Sequence, residues 1–334
     1  MLEMLEASLE RILTEDSDRS LIGRLDELGW DEVMADDAPA ALQSLFTIKG
    51  RTLSSADALG PRLAETLSDT LGESGLRGAA VVLPVSLHPE QCSARVDGGE
   101  FEVRGILLAG PDGDNPIVAP VAGNTAGGDG VKGGGLRLAA VARDGSLTCH
   151  AVHGLDPDMG LRSVDARVPS ADVTWFDGPS ATDAWDAAVA HGRWLLAAEL
   201  LGVGCHVVES AVAYAGERKQ YGRAIGSFQA VQHRLAGAHA SVVGASGVMR
   251  EAASSGSPWV AKVAKALAGR AAEEACTQAQ QTYGAIGFTW EHEFHRYLRR
   301  TYLLDRLLGD WRTLEHEIGL QLQATREVPR IGRL

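Results

Sequence analysis

The hydrophobic pattern of this 334-residue chain changes period twice, and those changes limit the folds that it can adopt. Over residues 1–78, apolar side chains recur three and four positions apart, which predicts short amphipathic helices. Residues 79–178 contain short segments rich in β-branched residues, separated by Gly, Pro and Asp, as in antiparallel sheets. The helical period returns over residues 179–334. The pattern therefore predicts an α+β protein with an N-terminal helical domain, a middle β domain and a C-terminal helical bundle.

The C-terminal region predicts long helices joined by short turns. Apolar residues run from Trp185 to about Ala215 without a proline. At about 1.5 Å per residue, a helix of that length extends about 45 Å. Further helices are predicted to begin near Ser227 (as the N-cap), Ser257-Pro258 and Glu291, and a last short helix is predicted to include Leu314–Leu322. Long helices with short connections favour an antiparallel four-helix bundle.

Charge and composition argue against several classes of partner. The net charge is −13 and Lys and Arg form no block of five or more, so nucleic acid is not expected as the main partner. No apolar run reaches the roughly 18–20 residues that a membrane helix needs, and the acidic start does not resemble a signal peptide. The 4 cysteines include no CxxC pair, which argues for a reducing compartment and against a zinc site. The sequence therefore predicts a cytoplasmic protein without a membrane span.

Two motif-like stretches do not predict a cofactor or metal site. Residues 128–133 match GxGxxG, but the dinucleotide fingerprint needs a strand before it and a helix after it. The LRLAAVA that follows is typical of a strand, so this stretch is predicted to be a loop. His292 and His295 lie three residues apart, one short of the HExxH spacing, and no third ligand is evident. They are predicted to have a surface or interface role, and no metal is expected.

The segment ERKQYGRAIGSFQAVQHRLA, residues 217–236, combines a helix end, two bases, an aromatic residue and a Gly-bounded turn. An arginine together with amides at a helix N-terminus can hold an anion. The same residues also fit a plain helix–turn–helix connector with solvated bases. The residues alone favour neither interpretation.

This segment resembles the R-x-x-[FY]-G-x-x-I-x-x-F-Q-x-x-Q-x-x-L-A signature of the acyl-CoA dehydrogenase family. A second stretch, QTYGAIGFTWEH at residues 281–292 followed by HRYLRR, resembles the Q-x-x-G-G-x-G-[FY]-x-x-E block of that family. The likeness is strong over residues 183–308, architectural over 79–178 and faint over the N-terminal domain, which is shortened. It implies the fold of that family, with the same order of helical, β and helical domains.

The resemblance also implies a chemistry. In the family a glutamate removes the α proton of an acyl-CoA thioester while FAD accepts the β hydride, and an electron-transfer flavoprotein usually reoxidises the flavin. The FAD lies at a subunit interface and is shared between neighbouring chains. The residues that the resemblance assigns to FAD binding across that interface are Arg218, Tyr221, Gln229, Gln281 and Gly284.

The chain departs from the family where the base is expected. One known base position, before a glycine, is occupied by Leu308, and the other, before an arginine, by Gly192. Neither residue can accept a proton. Glu199, two helical turns beyond Gly192, is the weak candidate for a displaced base, about 10 Å away along a helix.

Two further departures concern the flavin contacts. The T-E-P-x-A-G-S-D-like loop that contacts flavin and substrate in the family is replaced by LPVSLHPE at residues 83–90. Ala285 replaces the second glycine of the Gly-rich turn. These changes suggest that this chain does not build a complete active site by itself.

Three hypotheses follow. In the first, the chain is the catalytically incomplete subunit of a heteromeric, α2β2-type acyl-CoA dehydrogenase, with steroid side-chain CoA thioesters as the candidate substrates. A homologous partner subunit would supply the base. In the second, it is a self-sufficient homo-oligomeric enzyme that uses Glu199. In the third, it is a flavin-free scaffold.

Overall fold

The computed structural model describes residues 2–15, 20–109, 115–122, 136–142 and 147–329. It divides into two compact units. The first, the helical unit, contains Met1–Ala56 and Arg193–Leu334, and the second, the β unit, contains Asp57–Gly192. The GxGxxG stretch at residues 128–133 lies outside the described residues.

The described residues form helices before and after a sheet, in the predicted order. The helices are α1 (Leu2–Thr14), α2 (Leu21–Asp26), α3 (Trp30–Thr52), α4 (Leu59–Leu71), α5 (Pro179–Glu217), α6 (Gln229–Ser255), α7 (Pro258–Tyr283), α8 (Phe294–Arg306) and α9 (Trp311–Thr325). The strands of the sheet are β1 (Ala80–Val81), β2 (Leu83–Pro84), β3 (Ala94–Asp97), β4 (Glu100–Leu107), β5 (Ile117–Val121), β6 (Arg137–Val141), β7 (Thr148–Ala151), β8 (Arg162–Pro169) and β9 (Val173–Phe176). Two more strands, β10 (Lys219–Gln220) and β11 (Arg223–Ala224), form a separate hairpin.

The sheet of the β unit has the order β7-β8-β4-β3-β5-β6-β9. Most neighbours are antiparallel, as predicted, but β5 pairs in parallel with both β1 and β3, so the sheet is mixed. Strand β8 alternates buried and exposed residues along most of its length, whereas every residue of β5 is buried. The core of this unit contains Val82, Phe101, Leu107, Ile117 and Val164, among others.

Helices α3 and α5 cross in close backbone contact within the helical unit. A Cβ at Gly202 would overlap the carbonyl oxygen of Thr47, and a Cβ at Gly50 would overlap the carbonyl oxygen of Glu199. Beside this crossing, Lys49 Nζ donates to Glu199 Oε1 over 2.6 Å, and both side chains are buried. Because neither glycine carries a side chain, the two helix backbones lie closer together than an alanine at either position would allow.

Helix α5 bears on the expectation that the chain has no membrane span. It has 39 residues, and its most apolar 18-residue window has a mean hydropathy of 1.6, so by length and composition it could cross a membrane. However, 72% of that window is buried within the protein. A helix that is apolar on all sides and buried is typical of a core. We therefore assign α5 as a core helix.

The predicted helix starts are partly confirmed. Ser257 caps α7 as expected, because its side chain accepts from the amide of Val260. Ser227 does not cap α6: its hydroxyl donates to the carbonyl of Ala224 within a short 3-10 turn, and α6 begins at Gln229. The predicted start at Glu291 is also early, because residues 289–293 form turns that precede α8.

Candidate functional site

The longest helix ends in a small hairpin that carries part of the family signature. Strand β10 pairs with β11 across a two-residue turn, with Gln220 opposite Arg223. Both turn residues have positive φ, 52° at Tyr221 and 79° at Gly222, as in a type I′ turn. Tyr221 is therefore at the tip of the hairpin, where its side chain is 94% exposed.

Backbone and ring contacts fix this hairpin to the start of α6. The amide of Ile225 donates to the carbonyl of Arg218 over 2.8 Å, while the Arg218 side chain is exposed. The guanidinium of Arg223 lies 4.1 Å from the ring centroid of Phe228, and the Tyr221 ring meets Phe228 edge-on at 6.3 Å. The hairpin thus presents Arg218 and Tyr221 from a defined backbone.

The remaining predicted flavin residues lie at the start of α6 and the end of α7. Gln229 is the first residue of α6 and Gln281 is in the last turn of α7, and both side chains are exposed. Gly284 follows α7 with φ 62° and ψ −134°, a conformation that favours glycine. A Cβ at Gly284 would project into open space. The neighbouring Ala285 has no positive φ, so its side chain causes no backbone strain.

Two aromatic residues bring the two signature segments together. Tyr214, four residues before Arg218, meets Tyr283 edge-on with 5.2 Å between ring centroids. Arg234 of α6 also donates to Gln278 of α7 over 3.1 Å. The ends of α5 and α7 and the start of α6 therefore meet at one end of the helical unit.

One of the two expected base positions, Leu308, accepts a hydrogen bond from an arginine. Arg193, which follows Gly192, donates from Nε to the carbonyl of Leu308 over 3.0 Å. Leu308 is buried with φ 59°, and Gly309 follows with φ 104°. The turn after α8 therefore keeps a left-handed backbone, but the side chain at position 308 is apolar.

The sequence did not reveal the lysine that holds this turn. Lys265 is fully buried in α7 and donates to the carbonyls of Asp305, over 2.9 Å, and Gly309, over 3.3 Å. Its Nζ lies 3.7 Å from the Asp305 carboxylate. Burial lowers the pKa of Lys265 to about 8, although the charge of Asp305 opposes that shift. Burial likewise raises the pKa of Asp305.

Neither titratable group near Gly192 in sequence has the properties of a replacement base. Glu199 is buried and ion-paired with Lys49, which supports a packing role for this carboxylate. His191 lies within 2.9 Å of the Thr66 hydroxyl, and burial, followed by the charge of Arg62, lowers its pKa to about 4. An imidazole with so low a pKa is a weak base near neutral pH.

The altered loop at residues 83–90 is held within the β unit. Leu83 and Pro84 form β2, which pairs with β4, and Leu87 has φ 61°. The indole of Trp185 donates to the carbonyl of Pro89 over 3.1 Å. This loop therefore has a defined backbone despite lacking the pattern of the family.

The paired histidines stabilise the turn before α8. His292 Nδ1 accepts from the amide of Phe294 over 3.1 Å, and His295 Nδ1 lies 2.8 Å from the carbonyl of His292. Within the described part of the chain, neither histidine belongs to a cluster of three or more metal-ligand side chains.

Comparison with known proteins finds relatives of the C-terminal part of the chain. Residues 183–310 match the family profile of the acyl-CoA dehydrogenase C-terminal domain. Over these residues, the chain is similar to the C-terminal domain of acyl-CoA dehydrogenases. The chain is 34% identical over 167 residues to acyl-CoA dehydrogenase IpdE2 of Mycolicibacterium smegmatis. The matched region covers 48% of this chain and 51% of that protein. The match therefore spans about half the length of that relative.

Solved structures show the same fold over nearly the whole chain. The ChsE4-ChsE5 complex from Mycobacterium tuberculosis has a TM-score of 0.72 at 21% identity, with 98% of each chain covered. The Tcur3481-Tcur3483 steroid ACAD has a TM-score of 0.71 at 21% identity, with 98% of this chain and 99% of that chain covered. The α+β fold with helical, β and helical regions is thus confirmed.

Acyl-CoA dehydrogenases typically bind FAD, and the exposed residues of this chain fit that group. The donors at this end of the helical unit are a guanidinium from Arg218, a phenol from Tyr221 and carboxamides from Gln229 and Gln281. A guanidinium and amides suit the diphosphate of FAD. At Gly284, the space that a Cβ would fill is left open for close approach to the backbone.

Proposed function

We propose that this chain is a flavin-holding, catalytically incomplete subunit of a heteromeric acyl-CoA dehydrogenase. One observation carries the proposal: the candidate flavin residues are exposed at one end of the helical unit, whereas the two expected base positions are occupied by Leu308 and Gly192. A chain that offers cofactor contacts without a base needs another chain to complete the reaction.

The residues of this chain have defined parts in that proposal. Arg218 would form charge-assisted hydrogen bonds with the diphosphate of FAD, and the amides of Gln229 and Gln281 would donate to its polar groups. Tyr221 would cover the cofactor with its ring. When bound, FAD supplies the hydride acceptor of this family. The proton at the α carbon would be removed by a glutamate of the partner subunit.

The names of the similar structures support the choice of partner and substrate class. One is a complex of two ChsE chains, and another is a two-chain assembly described as a steroid ACAD. We therefore propose a homologous partner subunit in an α2β2 arrangement, a steroid side-chain CoA thioester as substrate and an electron-transfer flavoprotein as electron acceptor.

The substitution Arg218→Ala tests the cofactor role in the complex with the base-bearing homologue. A hydrogen bond to a charged group contributes about 1.5–3 kcal/mol, so FAD affinity should fall about 10- to 150-fold. Flavin retention after dialysis, measured by absorbance, reports this change. Arg250→Ala, which removes another exposed arginine of the helical unit, is the matched control and should retain flavin.

Three results would contradict the proposal. Unchanged flavin retention in Arg218→Ala would mean that this arginine does not hold FAD. An isolated chain that is yellow and bleaches with an acyl-CoA would instead support the self-sufficient enzyme. A complex whose flavin content is independent of this chain would support the scaffold.

A further inference from the structure

Tyr283 is a buried aromatic residue that joins the two segments carrying the candidate flavin residues. Its side chain is 4% exposed, and it directly precedes Gly284 at the end of α7. Its ring centroid lies 5.2 Å from that of Tyr214 in α5, 4.4 Å from that of His292 and 5.4 Å from that of Phe294 in α8. One side chain thus connects the end of α7 to the end of α5 and to the start of α8.

Hydrogen bonds connect Tyr214 to the hairpin that presents Arg218. The carbonyl of Tyr214 accepts from the amide of Arg218 over 2.8 Å, and the carbonyl of Arg218 accepts from the amide of Ile225 over 2.8 Å. The turn before α6 also packs on this end of α5, since a Cβ at Gly226 would lie 3.0 Å from the carbonyl oxygen of Ala215. The backbone of Arg218 is therefore fixed relative to the ring of Tyr214.

The Gly-rich turn after α7 folds back on the same tyrosine. Gly287 is buried, and a Cβ there would lie 3.1 Å from the Cβ of Tyr283. The turn that begins at Gly284 therefore packs on Tyr283, as the end of α5 does. Side chains that lock a binding site by packing behind it lower the entropic cost of binding.

We propose that Tyr283 is a positioning residue of the candidate flavin site, which fixes Arg218 on one segment relative to Gly284 on the other. This inference rests on the proposed function. A diphosphate contacted from both segments requires that the guanidinium and the glycine backbone keep one separation. Arg218 cannot set that separation alone, because its side chain is exposed, whereas Tyr283 packs against both segments.

A double-mutant cycle in the complex with the base-bearing homologue tests this role. The Kd for FAD is measured by quenching of flavin fluorescence, at a temperature where every variant is folded. Arg218→Ala should raise Kd about 10- to 150-fold in the original chain. Tyr283→Leu should by itself raise Kd at least about tenfold. With Tyr283→Leu present, Arg218→Ala should raise Kd less than about threefold further, because a misplaced guanidinium has already lost its bond.

Two controls separate positioning from a general loss of packing. Tyr283→Phe keeps the ring and should restore Kd to within about threefold of the original value. Tyr297→Leu removes another buried ring, which stacks on His206 of α5 at 4.4 Å, upstream of Tyr214. Tyr297→Leu should lower the thermal unfolding midpoint as Tyr283→Leu does, yet leave Kd for FAD within about threefold. If Tyr283→Leu does not fold, Tyr214→Leu replaces it in the cycle with the same expected result.

Hydrogen exchange of the isolated chain, without flavin, gives a second readout. In Tyr283→Leu the amide of Ile225 should exchange at least about tenfold faster, because its bond to the carbonyl of Arg218 depends on the end of α5. In Tyr297→Leu that rate should stay within about threefold of the original. Unchanged exchange at Ile225 in Tyr283→Leu would show that the ring does not fix the hairpin.

Separate outcomes distinguish failure of this inference from failure of the proposed function. If Arg218→Ala raises Kd equally with and without Tyr283→Leu, or if Tyr297→Leu weakens FAD binding as much as Tyr283→Leu, the positioning role is wrong and the proposed function stands. If Arg218→Ala leaves Kd unchanged in the original chain, the cofactor role of Arg218 is wrong, and the positioning role fails with it.

Discussion

Leu308 shows, at the scale of single residues, how the turn after α8 can have a left-handed backbone with an apolar side chain. The turn is held through its backbone carbonyls. Arg193 donates a hydrogen bond to the carbonyl of Leu308, and Lys265 donates to the carbonyls of Asp305 and Gly309. None of these contacts involves the side chain at position 308. The left-handed backbone of Leu308 therefore does not depend on a glutamate, although it costs this residue about 1–2 kcal/mol.

Lys265 predicts a distinctive pH dependence of stability. Its folded-state pKa of about 8 lies below the ordinary value of 10.5, so between these pH values the unfolded chain binds a proton that the folded chain does not. The free energy of unfolding should therefore rise with pH across that window. The gain is at most roughly 3 kcal/mol, at 1.36 kcal/mol per pKa unit.

Urea unfolding from pH 7 to 10.5 measures this gain, with Lys265→Met as the reference that cancels the titration of other groups. The stability difference between the original chain and the variant should grow in favour of the original chain above pH 8. A difference that is constant with pH would show that Lys265 keeps its ordinary pKa in the folded protein.

At the scale of elements, the backbones of α3 and α5 approach closely where the two helices cross. This crossing depends on Gly50 and Gly202, two residues that are separated in sequence by the whole β unit. Hydrophobic periodicity predicted α5 well but could not show which helix would lie against it. A glycine inside a helix indicates close approach only once the neighbouring backbone is known.

The direction in which Gly202→Ala changes the stability of the chain tests this crossing. In an exposed helix, Gly→Ala stabilises by up to about 1 kcal/mol. At Gly202 the added methyl would overlap Thr47, so Gly202→Ala should destabilise the isolated chain by about 1–3 kcal/mol, as overpacking does. Gly244→Ala on α6, where no atom lies within 4 Å of the added Cβ, is the control and should stabilise it. Stabilisation by Gly202→Ala in urea unfolding would contradict the close crossing.

At the scale of the whole molecule, the order of helical, β and helical regions could be predicted because each has its own hydrophobic period. The candidate flavin residues could be located because two motifs carry them, at Arg218 and at Gln281. The role of Lys265 could not be predicted, because a lysine in an Ala-rich helix looks like a surface residue until the turn at Asp305 is known to pack on it. The grouping of residues 1–56 with the C-terminal helices is equally a product of long-range packing.

Flavin stoichiometry tests the central claim most directly. The complex of this chain with the base-bearing homologue is purified, its subunit ratio is determined, and FAD released by denaturation is measured per polypeptide. The account predicts about half an FAD per polypeptide, since each shared cofactor needs one chain with a base and one without. One FAD per polypeptide would mean that this chain forms a complete flavin site of its own, and the shared-site account would be wrong.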